Sequence, residues 1–209
     1  KKIVRMCVAN DWIKKDPFMN YKVKIKDTNR PFLLQEELDR IIAKKFATER
    51  LPRVRDIFIF CCYTGLSYAD VQSLSDKAIV TIEGRKWIHT KRQKTDTPTR
   101  IPLLPEALKI IDRYKDQPRP SSAILPVLSN QKMNEYLKDI AERCEINKQL
   151  TFHVARHTFA TTVTLTNGVP IETVSRMLGH RSIRTTQQYA KVIDSKINHD
   201  MLELERKLK

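Results

Sequence analysis

Apolar residues recur along most of this chain at helical spacing. Near the start, Ile3, Val4, Cys7, Val8 and Trp12 read as the end of a helix stopped by Asp16-Pro17, because the residue before a proline is disfavoured in the α region. From residue 34, Leu34, Leu38, Ile41 and Ile42 form one stripe, and Val54, Ile57, Phe58, Cys61 and Cys62 form a second that ends at Gly65. The texture changes between about residues 77 and 103. There "AIVTI", a turn at Glu83-Gly84, "RKWIHTKRQ", a turn from Asp96 to Pro98 and "TRIPL" predict a small antiparallel sheet of about three strands. Helices resume after Pro105 (Leu108, Ile111, Tyr114) and after Ser129 (Met133, Leu137, Ile140, Cys144). Three more follow at 152–166, 170–178 and 183–190, with Gly168 and Gly179 as stops. The predicted class is mainly α with a small antiparallel β-sheet (α+β).

This pattern divides the chain. Residues 1–30 read as the end of an upstream core-binding domain followed by a basic linker, with Lys22, Lys24 and Lys26 at alternate positions. Residues 31–209 read as the main domain with a tail helix. The tail places Ile193, Ile197, Met201, Leu204 and Leu208 on one face, which implies docking either on its own domain or on a neighbouring protomer.

Charge narrows the partner. Of 209 residues, 39 are Lys or Arg and 24 Asp or Glu, a net +15 that favours a polyanion through counterion release. Nucleic acid is the first expectation, with Lys22, Lys24 and Lys26 as candidate contacts to the DNA backbone. Cys7, Cys61, Cys62 and Cys144 lack metal-site spacing and read as free thiols of a reducing compartment. No apolar run approaches the roughly 18 residues of a membrane span, and the start lacks a signal-peptide pattern, so the expected location is the cytoplasm.

Two segments carry chemistry. In "TFHVARHTFAT", Thr151 can cap a helix that sets His153 and Arg156 three apart near its N-terminus, where backbone N–H groups already favour an anion. In "MLGHRSIRTTQQYA", Gly179 ends one helix, His180 follows, Ser182 can cap the next, and Tyr189 falls nine residues after His180. HxxR taken alone is more often a solvated Arg and a satisfied His, and a lone helical Tyr more often packs than reacts. Their joint occurrence is what resembles the tyrosine recombinase, or phage integrase, family over about residues 30 to 195. "QKTDTPTRIPLL" is similar to that family's β-hairpin segment and supplies its lysine at Lys94. "TGLSYADV" and "WIHTKRQKT" look most like integrases of conjugative transposons.

The resemblance implies a site-specific DNA recombinase that breaks and rejoins DNA through a covalent 3′-phosphotyrosine, for integration and excision of a mobile element. Tyr189 would be the nucleophile, Arg156, His153 and His180 would meet the developing charge, and Lys94 would protonate the leaving 5′-oxygen. No metal or nucleotide cofactor is then required. The implied partners are double-stranded DNA at specific sites, a homo-tetramer on that DNA, and accessory DNA-bending or excision proteins. The implied setting is the bacterial nucleoid, without a membrane.

One position departs from the family. An Arg usually follows "TGL", and here Ser67 stands, which with Asp70 three residues later reads as a helix N-cap. Arg92 is the candidate substitute: if the strand continues through residue 94, alternation puts Arg92 on the side of Lys94. Arg85 has the opposite parity and Arg100 lies across a turn. Alternatives from other classes are a catalytically degenerate DNA-binding or regulatory domain, suggested by Ser67, and a type IB topoisomerase-like enzyme.

Overall fold

The computed structural model describes residues 2–21, 31–117, 122–189 and, within 201–208, all but 203 and 207. Lys22, Lys24, Lys26, Ile193 and Ile197 lie outside the described residues. Met201, Leu204 and Leu208 are helical and exposed.

Helix α1 (Lys2–Ala9) ends earlier than the proline implied. Asp11 adopts a left-handed conformation and the Trp12 N–H returns to the Cys7 carbonyl, so the chain is already turned before Asp16-Pro17. Helix α2 (Gln35–Ala43) buries Leu38 and Ile41 but leaves Leu34 and Ile42 exposed. The expected stripe is displaced at its start because Leu33, not Leu34, is held inward. The Leu33 N–H donates to Thr158 Oγ1 at 2.9 Å, and its carbonyl accepts from Thr162.

Helix α3 (Arg50–Thr64) runs through the core and packs against α2, α5, α6 and α7. Its Val54, Ile57, Phe58, Cys61 and Cys62 are fully buried, as the second stripe predicted. Burial pushes the Cys61 and Cys62 thiols well up, so they behave as small apolar side chains. Gly65 stops the helix at φ +69°. A Cβ there would stand 2.5 Å from Phe159 Cδ1 and 2.8 Å from Leu178 Cδ2, so the stop also lets two later segments close over it. Helix α4 (Tyr68–Gln72) begins at Ser67, and the expected cap is present: Ser67 Oγ accepts from the Asp70 N–H, and Asp70 in turn accepts from Ser67.

The sheet is antiparallel in the order β1 (Ile79–Ile82), β2 (Arg85–Lys91), β3 (Pro98–Pro102). Register pairs Ile88 with Ile79 and with Ile101, which sends one face to the core while Arg100 stays exposed. Strand β2 is two residues shorter than its sequence implied. After Lys91 the chain turns, with the Asp96 N–H donated to the Arg92 carbonyl at 2.8 Å and the Arg92 N–H to the Thr97 carbonyl at 2.9 Å.

Helix α5 (Pro105–Tyr114) buries Ala107, Ile110 and Tyr114, and helix α6 (Asn130–Arg143) buries Met133, Leu137 and Ile140. In α5 the apolar face is centred one position away from the expected Leu108 and Ile111, which are only partly buried. Helix α7 (Phe152–Thr158) continues as a π-helical segment, Phe159–Thr164, and ends at Gly168 after one 3₁₀ turn. Threonine hydroxyls bonding back to carbonyls accompany this widening: Thr164 Oγ1 donates toward both Phe159 and Ala160. Helices α8 (Ile171–Met177) and α9 (Ile183–Gln187) follow, with Gly179 in the left-handed region between them.

Candidate active site

Arg156 lies at the centre of the site and is 5% exposed. Thr151 caps its helix through the Val154 N–H, and the packing of α7 on α3 then aims the guanidinium at two helix ends. One Nη donates to the Gly65 carbonyl at 2.6 Å, and the other donates to the Leu178 carbonyl and stands 3.2 Å from His180 Nε2. Both carbonyl acceptors are neutral. Burial, and secondarily the charge of Arg92, lower the Arg156 pKa to about 10, with Tyr189 and the Asp70 carboxylate working in the opposite direction. A buried guanidinium held by neutral carbonyls is a site prepared for an anion.

Arg92 is the second cation of this place. Its stem passes over Gly179, where an added Cβ would stand 3.7 Å from both Arg92 Cβ and Cδ. The Nε atoms of Arg92 and Arg156 are both buried and make no hydrogen bond among the described residues. The turn that carries Arg92 is anchored from two sides. Asp70 Oδ1 accepts the Gln93 N–H at 3.0 Å, and Arg181 donates to the Thr95 carbonyl at 2.7 Å. Lys94 is in the same turn and is exposed.

His180 follows the end of α8, its N–H donated to the Ser175 carbonyl. Its Nδ1 is 2.8 Å from the hydroxyl of Thr186, which is fully buried. Burial first, then the charges of Arg156 and Arg92, lower the His180 pKa to about 4. Tyr189 is 8% exposed, its ring stacked on His180 at 5.7 Å and edge-on to His157 at 4.6 Å between centroids. The Tyr189 N–H donates to the Thr186 carbonyl, so the tyrosine and the residue against His180 belong to one turn of chain.

Residues 31–196 match the phage integrase family, which is most of the chain and contains every residue just described. The chain belongs to that family. It is 29% identical over 204 residues to tyrosine recombinase XerD of Lacticaseibacillus casei, a match that covers 90% of this chain and 68% of the relative. Across the first two curated relatives, the chain spans 68% and 65% of their length. The fold is shared with XerA recombinase, at TM-score 0.66 and 23% identity over 97% of this chain and 73% of that one. It is also shared with the Tn1549 transposon integrase in complex with a circular intermediate DNA, at TM-score 0.66 and 18% identity, covering 95% and 74%. These matches place the chain among tyrosine-type site-specific recombinases, enzymes that break and rejoin DNA.

Within this integrase, the structure gathers Arg156, Arg92, His180 and Tyr189, while Lys94, in the turn of Arg92, and His153, on the helix of Arg156, stand exposed. Two expectations are corrected. Alternation along a strand does not relate Arg92 to Lys94, because β2 ends at Lys91 and both residues belong to a turn. Arg92 reaches the site because that turn is tied to Asp70 and Arg181. Ser182 occupies the N-cap position of α9 without capping through its side chain. Sequence reading also missed three residues: Asp70 as the anchor of the turn, His157 against the tyrosine, and Thr186 against His180. His157 adjoins Arg156, and Thr186 is one helical turn before Tyr189, so spacing alone held a signal for both. Among the described residues no group of three or more His, Cys, Asp or Glu is placed to hold a metal ion, and no helix is long and apolar enough to cross a membrane.

Proposed function

We propose that this chain carries the DNA-cleaving centre of a recombinase that integrates and excises a mobile element, acting on double-stranded DNA at specific sites as a homo-tetramer in the bacterial nucleoid. The observation that carries the reading is the convergence of Tyr189 with two guanidinium groups whose buried Nε atoms lack partners among the described residues. The scissile phosphate binds against these two guanidinium groups. Tyr189 Oη gives up its proton to Nε2 of the neighbouring His180 and attacks phosphorus, the bond to the 5′-oxygen breaks, and that oxygen takes its proton from Lys94. The strand is left joined to the tyrosine as a 3′-phosphodiester. Arg156 and Arg92 donate to the non-bridging oxygens, with His180 and His153 completing the donor set, and rejoining reverses each transfer. Ser67 is uncharged, and its hydroxyl is already donated to Asp70 at 2.6 Å. Lys22, Lys24 and Lys26 contact DNA backbone in this reading, accessory DNA-bending or excision proteins set direction, and the tail joins protomers.

The test is covalent trapping on a nicked suicide substrate that carries the protein's own site. The unaltered protein should form an SDS-resistant adduct. Tyr189→Phe should bind DNA and form none, because it loses only the nucleophilic oxygen. An adduct of undiminished yield from Tyr189→Phe removes Tyr189 from the mechanism.

A further inference from the structure

His180 has two ring nitrogens, and the packing gives them different neighbours. Nε2 faces Arg156 Nη2 at 3.2 Å, and a guanidinium has only donors. A proton on Nε2 would set two donors against each other, so in the neutral ring Nε2 must be the lone-pair nitrogen and Nδ1 must carry the hydrogen. That hydrogen points at Thr186 Oγ1, 2.8 Å away, and Thr186 is fully buried. The other groups around the ring are Tyr189, stacked on it, and Arg92, which acts on it through charge. Neither of them is a hydrogen-bond partner of Nδ1.

We propose that Thr186 is a positioning residue that fixes the proton of His180 on Nδ1 and thereby makes Nε2 the ring's single site of proton exchange, aimed at Arg156 and the reacting phosphate. The assignment rests on the role given to His180 in the proposed function, and it adds the means by which that role is set. In the DNA-free domain Nε2 accepts from Arg156. When a phosphate enters and Tyr189 attacks it, the tyrosine's proton passes to Nε2, which becomes a donor to the phosphate, while Nδ1–H keeps the same bond to Thr186. Because Thr186 is three residues before Tyr189 and accepts its N–H, seating the tyrosine and orienting the histidine become one event. The hydroxyl is thus a reason for a threonine, rather than an aliphatic residue, at a fully buried position of α9.

The experiment compares the unaltered protein with Thr186→Val, which keeps the shape and removes the oxygen, and with Thr186→Ser, which keeps the oxygen. The first readout is the ¹⁵N spectrum of the His180 ring in the DNA-free protein. It should show Nδ1 protonated in the unaltered protein and in Thr186→Ser, and a mixture of tautomers in Thr186→Val. The second is the single-turnover cleavage rate at saturating DNA. It should fall roughly five- to tenfold in Thr186→Val, the worth of one neutral hydrogen bond, with DNA affinity unchanged and the rate restored in Thr186→Ser. Nε2 protonated in the unaltered protein, or an unchanged tautomer or an unchanged rate in Thr186→Val, overturns the proposal. If the tautomer shifts as expected but even the unaltered protein never cleaves, the assignment of Nδ1 stands and the proposed function fails.

Discussion

Arg92→Ala separates a catalytic cation from a structural one, because the two roles predict opposite effects on stability. In the free domain, Arg92 lowers the pKa of both Arg156 and His180, and its Nε is buried without a hydrogen-bond partner among the described residues. Removing it relieves repulsion and, among the described residues, leaves no acceptor stranded. The thermal midpoint without DNA should therefore stay level or rise. In the transition state the same guanidinium meets a phosphate gaining negative charge, and losing one such donor costs about 2.7–4 kcal/mol, or roughly 100- to 1,000-fold in rate. Single-turnover cleavage of a suicide substrate at saturating DNA, with affinity measured separately, reads that loss without confusing it with binding. A companion variant joins Ser67→Arg to Arg92→Ala. Position 67 is two residues after Gly65, whose carbonyl holds Arg156, so a guanidinium there can approach the same anion. Partial recovery of cleavage would show that the positions serve one charge, even though losing the Ser67 cap costs about 1 kcal/mol of stability. Normal cleavage by Arg92→Ala at saturating DNA would refute the reasoning, as would a collapse of the midpoint in step with activity.

Three further outcomes follow from the same geometry. The folded-state pKa of His180 lies near 4, below its ordinary 6.5, so its contribution to stability is complete above pH 6.5 and declines as pH falls toward 4. Thermal midpoints of the protein and of His180→Gln across that window should converge on acidification, and parallel curves would contradict the shift. Gly65→Ala should destabilise by about 2–4 kcal/mol in chemical denaturation, combining left-handed strain with overlap against Phe159 and Leu178, and a loss under about 0.5 kcal/mol would show that the α3 end can relax. Cleavage should proceed unchanged in EDTA, since guanidinium and imidazole groups meet the phosphate charge in the proposed mechanism. A strict requirement for added magnesium would replace that mechanism with metal-assisted cleavage.

Local physics made much of this recombinase legible in its sequence. Ser67 with Asp70, and Thr151, are helix caps because their oxygens reach N–H groups three residues away, a relation fixed within a few residues of chain. The stripe from Val54 to Cys62, the stop at Gly65 and the three-stranded sheet likewise follow from periodicities and turn residues that act locally. The motif around Arg156, His180 and Tyr189 identified the chemistry by resemblance. What local pattern could not decide was which side chains share a space. Leu33 rather than Leu34 is buried because hydroxyl groups of Thr158 and Thr162, far along the chain, bind its backbone. Arg92 comes to Arg156 not by strand alternation but because Asp70 and Arg181 hold a turn that strand propensity had assigned to β2. The proton on His180 is set by Arg156 on one side and Thr186 on the other, from helices separated in sequence by the whole of α8. Each of these depends on contacts between distant segments, and only the packed chain brings those segments together.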